Sequence, residues 1–283
     1  MRHFCGIEHE NGSFENASVL LQSIPYDGTS TWGKGADQGF EAFMDALDNM
    51  EVYDIETQSE VFQKGVHVLP ELKGFKSPEE MYEAVYAKAQ ELVSTGKFIT
   101  GFGGEHSVSM GLMRAQWERH NDMSVLQLDA HTDLRPEYLG SPYNHACAVF
   151  EAGKQTNLVQ VGIRSMDAEE LPHIQEGNIF WAHEMYGTTS WMQKSVDRLT
   201  DKVYITLDLD VLDPSIMPAT GTPEPGGLGW YETLTYLKMV FDQREVVGFD
   251  IVELAPISGL RAPNLLAAKL YYKMLSYKFQ KHE

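Results

Sequence analysis

The sequence predicts an α/β fold, a three-layer αβα sandwich with a central, mostly parallel β-sheet. Short apolar segments alternate with longer amphipathic ones along the chain, which is typical of helices packed on both faces of a parallel sheet. Most short segments are rich in Val and Ile and apolar at consecutive positions, as strands buried on both faces are. No Pro- or Ser-rich linker, fixed repeat or composition break interrupts the sequence, so we expect one domain over residues 1–283.

The individual elements follow from these patterns. The predicted strands are 19–25, 97–102, 124–129, 157–163, 202–209 and 245–253. The predicted helices are 77–96, 107–118, 186–198, 230–241 and 263–280. The clearest helix starts with Ser77 as N-cap, Pro78 at the first helical position and Glu80 completing a capping box. Gly96 is typical of the residue that ends a helix.

The charge balance excludes some partners. The chain has 22 Lys and Arg against 41 Asp and Glu, a formal net charge of −19, whereas nucleic-acid binding needs a positive surface. A negative field can attract a small cationic substrate, although acidic surfaces often serve solubility alone. Two cysteines make no disulfide framework. No segment is apolar enough for a membrane span or a signal peptide, so we expect a cytoplasmic protein without membrane contact.

Side chains that can bind metals follow several predicted strands. They are His106 in GGEHS, Asp129, His131 and Asp133 in DAHTD, and Asp208 and Asp210 in DLD. Glu253 follows the last strand. Alternate residues of an extended chain point to one side, and ligands bind at the carboxyl ends of parallel strands. We therefore expect these side chains to converge on one point.

The carboxylates among them would repel one another strongly. Like charges a few ångströms apart cannot all stay ionised without compensation, and buried ones are costly when unpaired. Two divalent cations would offset four of these charges. Four Asp and two His without a thiolate suit Mn²⁺ better than a structural zinc ion. A metal pair can also lower the pKa of a bound water to near neutrality.

Taken alone, the motifs differ in strength, and DxHxD is the strongest of the three. A DxD at a strand end is more often a cap or a turn than a metal site, and GGxH by itself indicates little. All three motifs at successive strand ends of one α/β pattern favour a binuclear site.

With these residues in view, the chain resembles the ureohydrolases, the family of arginase, agmatinase, guanidinobutyrase, proclavaminate amidinohydrolase and formimidoylglutamase. The segments that carry the resemblance are GGEHS, DAHTD, YNHACAVF, TLDLDVLDPSIMPATGTPEPGGL and DIVELAP. It extends from about SIPYDGT to the final helix. It implies an arginase- and deacetylase-like αβα fold, two Mn²⁺ ions per subunit and a homo-oligomer, trimeric or hexameric.

The resemblance also implies residue roles. One metal would be held by His106, Asp129, Asp133 and Asp210, and the other by Asp129, His131, Asp208 and Asp210. Asp133 would hydrogen-bond a bridging hydroxide that attacks the guanidinium carbon. His145 would handle the proton of the leaving amine, Glu253 would pair with the guanidinium, and Thr222 would lie near that group. Many members have Asp where this chain has Glu105, and we expect Glu105 to support the site from behind the ligands.

Agmatine is the substrate that the sequence favours, giving putrescine and urea in polyamine biosynthesis. The segments IPYDGTSTWGKGADQG and DLRPEYLGSPYNHAC resemble agmatinases. The substrate ammonium would meet an acidic rim, for which the candidates are Glu137, Asp167, Glu169 and Glu170. Arg135 leaves a carboxylate substrate such as 4-guanidinobutyrate open.

Other functions also stay open. Aminopropylagmatine, arginine and formimidoylglutamate are further substrates of an amidinohydrolase. A non-catalytic metal-binding scaffold is less favoured, because all six ligands are present together with His145 and Glu253.

Overall fold

The computed structural model describes residues 2–280, and its centre is one eight-stranded sheet. The strands are β1 (Val19–Ile24), β2 (Val66–Val68), β3 (Phe98–Gly103), β4 (Met123–Leu128), β5 (Asn157–Ile163), β6 (Ile179–Trp181), β7 (Lys202–Asp208) and β8 (Glu245–Val252). Every pairing between these strands is parallel, and the order is β2-β1-β3-β8-β7-β4-β5-β6. The predicted α/β class with a parallel sheet is confirmed.

Helices cover both faces of the sheet. They are α1 (Gly39–Asp48), α2 (Pro78–Ser94), α3 (Ser109–Arg119), α4 (Phe150–Gln155), α5 (Ala182–Met185), α6 (Ser190–Arg198), α7 (Trp230–Gln243) and α8 (Ala262–Lys278). Buried side chains of α1, α5, α6, α7 and α8 join one hydrophobic core, and those of α2, α3 and α4 join a second. These two cores make the three-layer sandwich.

Strand β7 illustrates how the sequence builds both cores. Val203, Ile205 and Leu207 are fully buried in the first core, whereas Tyr204 between them packs into the second. This follows from the two-residue period of a strand, which sends neighbouring side chains to opposite faces. An apolar residue is therefore needed at each position, as the sequence pattern indicated.

The predicted elements match the observed ones with a few differences. The six predicted strands are present, and the helix predicted at 186–198 begins at Ser190, after the separate turn of α5. The prediction missed β2 and β6, which have three residues each, and the helices α1 and α4. The extent of the domain, residues 1–283, stays a prediction, and its two ends lie outside the described residues. None of the helices in residues 2–280 has the length and hydrophobicity to cross a bilayer.

Candidate active site

Four neighbouring strands bring the predicted ligands to one edge of the sheet. Strands β3, β8, β7 and β4 are neighbours in the sheet, in that order. His106 opens a short 3₁₀ helix after β3, and Asp129 follows β4 directly. Asp208 is the last residue of β7, and Glu253 follows β8. All four side chains are buried, so the candidate ligands lie below the protein surface at the carboxyl ends of the strands.

His106 is oriented by groups behind it. Its Nε2 lies 2.9 Å from the Thr206 hydroxyl, which donates to Asp250 Oδ1 at 2.8 Å. Because that hydroxyl proton is used on Asp250, the Thr206 oxygen accepts from Nε2–H, and the lone pair of Nδ1 points away into the site. Within residues 2–280, Nδ1 is buried and has no hydrogen-bond partner. This is how a metal-binding imidazole is held in place.

Three carboxylates surround that nitrogen. His106 Nδ1 lies 2.9 Å from Asp129 Oδ2, 3.0 Å from Asp133 Oδ2 and 3.4 Å from Asp208 Oδ2. His106, Asp129 and Asp208 each offer one ligand atom within 4.8 Å of the others. They form the first of two groups that could hold a metal ion.

The second group shares Asp129. His131 Nδ1 lies 3.0 Å from Asp210 Oδ2 and 3.6 Å from Asp129 Oδ1. These three residues again offer ligand atoms within 4.8 Å of one another. Asp210 Oδ2 is buried and finds no hydrogen-bond partner in the part of the chain described. Two adjacent groups with one carboxylate in common fit a pair of cations.

The division between the two groups differs from the predicted one. The resemblance implied Asp210 in both sets and Asp208 with His131, whereas Asp208 clusters with His106 and Asp210 with His131. The reason is that the strand ends at Asp208 and a 3₁₀ turn, Leu209–Val211, follows. The Asp208 side chain accepts from the Asp210 backbone at 2.9 Å, so the alternation of an extended chain stops there. Which residues bind which ion stays a prediction.

The electrostatics agree with bound cations. Burial, and then the charges of Asp210 and Asp129, raise the pKa of Asp208 well above its ordinary range. Burial and the Asp129 charge raise the pKa of Asp133 to about 7. No Lys or Arg side chain among residues 2–280 forms an ion pair with these carboxylates. The cluster carries more negative charge than its two imidazoles can balance, and oxygen-rich donors with two nitrogens suit divalent cations.

Two of the site residues have strained backbones. Asp133 has φ 51° and Glu253 has φ 68°, in the left-handed region that residues other than Gly rarely adopt. Such conformations cost on the order of 1–3 kcal/mol each and concentrate at functional sites. DAHTD is therefore not an extended segment as the sequence suggested, because β4 ends at Leu128 and the convergence comes from a loop.

A cavity of about 230 Å³ opens above the cluster. The predicted residues that line it are His106, His131, Asp133, His145, Asp167, Glu170, Asp208, Thr222 and Glu253. Glu137 is exposed and is not among the lining residues, so the structure does not bring this predicted substrate residue to the site. Arg135 and Tyr138 also line the cavity.

Arg135 is held by acidic neighbours. Its guanidinium donates to Glu169 Oε1 at 2.5 Å and to Asp167 Oδ2 at 3.3 Å. It also lies over the Tyr138 ring, 4.5 Å from the centroid. The arginine is thereby neutralised by the chain itself, and the rim keeps a surplus of negative charge.

The surroundings of His145 and Glu253 set the pKa of the first and the orientation of the second. Burial, followed by the charge of His131, lowers the pKa of His145 to about 4. Glu253 Oε1 accepts from the His106 backbone at 2.8 Å. The sequence analysis missed Thr29, whose hydroxyl lies 3.2 Å from His145 Nδ1. The only sequence signal for it was its place in the SIPYDGT segment of the family resemblance.

Comparison with known proteins agrees with this geometry. Residues 17–276 match the model of the Arginase family. The N(1)-aminopropylagmatine ureohydrolase of Synechocystis sp. is 37% identical over 278 residues, covering 94% of this chain and 90% of the relative. That of Thermus thermophilus is 35% identical over 275 residues, covering 95% of this chain and 93% of the relative.

A solved structure is similar over nearly the whole chain. It is agmatine ureohydrolase of Thermoplasma volcanium, with a TM-score of 0.87, 28% identity and coverage of 99% of this chain and 95% of that one. The sheet, the ligand cluster and these similarities lead to one conclusion. The chain belongs to the arginase family and is a ureohydrolase that acts on guanidino C–N bonds.

Proposed function

We propose that this ureohydrolase cleaves N1-aminopropylagmatine to urea and the corresponding triamine, with agmatine as the second candidate. The sequence analysis favoured agmatine, but the two relatives at 35% and 37% identity carry the aminopropylagmatine name. The agmatine ureohydrolase structure is 28% identical. This difference in similarity is the observation that carries the choice between the two.

The state of Arg135 supports a cationic substrate. A free arginine at the rim would suit a substrate carboxylate, as in arginine or 4-guanidinobutyrate. Here Asp167 and Glu169 already bind its guanidinium, so a substrate carboxylate would have to displace them. The remaining acidic charge suits a chain with amines at its far end.

Glu253 would receive the guanidinium. One carboxylate oxygen is engaged by the His106 backbone, and the side chain lines the cavity beside the ligand cluster. A planar carboxylate and a planar guanidinium form strong, directional hydrogen bonds. This pairing would hold the guanidinium carbon close to the ligand cluster, in the cavity that Thr222 also lines.

The two groups His106–Asp129–Asp208 and Asp129–His131–Asp210 would hold the metal pair, with Asp133 beside the first. A bound metal pair would supply a water-derived nucleophile near neutral pH. Asp133 lies beside this position and would hydrogen-bond the nucleophile. As the C–O bond forms and the C–N bond breaks, His145 would take up a proton at Nε2 from the attacking water or from solvent and pass it on to the departing nitrogen, which leaves as the amine. We assign Mn²⁺ from the donor set, and a homo-oligomer from the family.

A substrate comparison tests the proposal. Urea release by the Mn²⁺-supplemented protein is measured with N1-aminopropylagmatine, agmatine, arginine and 4-guanidinobutyrate. We expect kcat/KM to be highest for the first and at least about tenfold lower for the two carboxylates, since each tenfold step corresponds to about 1.4 kcal/mol of transition-state binding. Glu253→Gln should remove activity, while Glu151→Gln at the exposed surface is the matched control. Preference for arginine or guanidinobutyrate would contradict the assignment.

A further inference from the structure

The segment that carries Thr29 connects the buried Glu105 to His145. We propose that Thr29 and Glu105 are positioning residues that fix the proton of neutral His145 on Nδ1 and so leave Nε2 to exchange protons in the cavity. The catalytic consequence rests on the proposed function. The hydrogen-bond arrangement itself does not.

Glu105 is the fixed end of this chain of contacts. Its side chain is fully buried. Oε2 accepts from the backbone amides of Thr29 at 2.5 Å and Ser30 at 2.8 Å. Oε1 accepts from the hydroxyls of Thr29 at 2.5 Å and Ser107 at 2.6 Å. An ionised carboxylate can only accept, so these four donors, with a longer contact of 3.3 Å from the Ser30 hydroxyl, hold it in one orientation.

Thr29 transmits that orientation to the imidazole. A hydroxyl has one proton to donate, and here it goes to Glu105. The oxygen then accepts from the His145 backbone N–H at 3.0 Å and lies 3.2 Å from Nδ1 of the same residue. With no hydroxyl proton left for Nδ1, this contact is a hydrogen bond only if Nδ1 carries the proton. The second ring nitrogen is therefore the one that is free to accept and donate.

The Glu105 side chain connects segments that are far apart in sequence. Thr29 lies 76 positions from Glu105 and 116 from His145 in sequence, so the contact is made only in the fold. The carboxylate spans from the ligand-bearing turn to two consecutive amides of the Thr29 segment. Glu105, which stands where many family members have Asp, is thus connected to His145 through the Thr29 hydroxyl.

Three variants test the role of the hydroxyl in turnover. Thr29→Val keeps the shape and removes the hydroxyl, Thr29→Ser keeps the hydroxyl, and Ser30→Ala removes a neighbouring hydroxyl that contacts Glu105 at 3.3 Å. We expect Thr29→Val to lose at least roughly tenfold in kcat with KM changed less than about twofold, because misplaced general acid–base groups cost rate rather than binding. Thr29→Ser should restore most of that loss, and Ser30→Ala should lose far less. Equal losses in Thr29→Val and Ser30→Ala would overturn the proposal.

A second measurement is independent of activity. The protein is labelled with ¹⁵N-histidine, saturated with diamagnetic Zn²⁺ and studied by solid-state NMR near pH 8, with His145 assigned from its loss in His145→Asn. We expect the Nδ1–H form in the wild type and Thr29→Ser, and a shift toward Nε2–H in Thr29→Val. The same tautomer in all three, or Nε2–H in the wild type, would refute the assignment. If the wild type hydrolyses no guanidino compound, the proposed function fails while this spectrum still decides the proton's position.

Discussion

Two ionic clusters in this molecule, each containing buried carboxylates, are balanced in different ways. Beside helix α8, Lys273 lies 3.0 Å from Asp54 and 2.5 Å from Glu56, and Tyr277 donates to Glu56 at 2.9 Å. At the carboxyl edge of the sheet, in contrast, the carboxylates of Asp129, Asp133, Asp208 and Asp210 have only two imidazoles as potential cationic partners among the residues described.

The pKa values of Asp54 and Asp208 move in opposite directions, whereas that of Asp129, hydrogen-bonded to His106 and His131, is also lowered. Burial alone would raise the pKa of Asp54, but the hydrogen bonds from Thr57 and Lys273 bring it below its ordinary 3.8. The pKa of Asp208 instead rises well above 3.8, through burial and the neighbouring carboxylates. A cluster with its own lysine is part of the framework. A cluster without one depends on cations from outside the chain.

The largest effect should come from neutralising a carboxylate at the sheet edge. We expect Asp208→Asn to lower urea release by more than about 100-fold, since even changes behind metal ligands cost 10–100-fold. The metal-free protein should be no less stable than the wild type, because the change removes like-charge repulsion. Activity assays and thermal unfolding of the metal-free proteins measure both. A strongly destabilised metal-free variant would show that the carboxylates are structural.

Removing the lysine of the α8 cluster should lower stability and leave the activity nearly unchanged. Lys273→Met leaves Asp54 without its cation, and we expect a loss of about 3 kcal/mol in the free energy of unfolding, as for other broken buried ion pairs. The kcat of the folded enzyme should stay within about twofold of the wild type, a change below 1 kcal/mol. Lys269→Met, at a half-buried lysine bonded to the Glu51 carbonyl, is the matched control in urea denaturation. Equal stability of the two variants would contradict the difference between the clusters.

The smallest effect should appear in the pH dependence of stability. The lowered pKa of Asp54 means that its ionised form is favoured by folding. Its contribution is therefore complete above 3.8 and disappears as the pH falls below 3.8 through the lower pKa of the folded state. The stability difference between wild type and Asp54→Asn should shrink over that window, which denaturation curves at stepped pH can follow. A difference independent of pH would show that Asp54 acts through packing.

The sequence predicted the central strands of the sheet better than its two outermost strands. Segments of six and seven mostly apolar residues identify β4 and β7 because each is buried on both faces. Strands β2 and β6 contribute three residues each at the two ends of the sheet. Segments that short have too few positions to show a period, so only tertiary pairing defines them.

For the candidate site too, the sequence predicted the residues on strand ends better than those in turns and loops. Spacing was enough to bring His106, Asp129 and Asp208 together, because strand ends meet at one edge. It could not show that Asp208 ends its strand and caps a turn, which brings Asp208 beside His106 and not beside His131 as the resemblance implied. Loop residues are harder still: Glu137 lies outside the cavity, and Thr29 reaches His145 across 116 positions.

The number of cations bound per chain distinguishes a binuclear metal site from a purely structural cluster of carboxylates. Metal-free wild type, Asp208→Asn and Lys273→Met are titrated with Mn²⁺ by isothermal calorimetry, with metal content checked after dialysis. If the sheet-edge cluster depends on external cations, the wild type and Lys273→Met bind two ions per chain, and Asp208→Asn binds fewer. A wild type that binds none or one, or an Asp208→Asn that binds as the wild type does, would contradict the account.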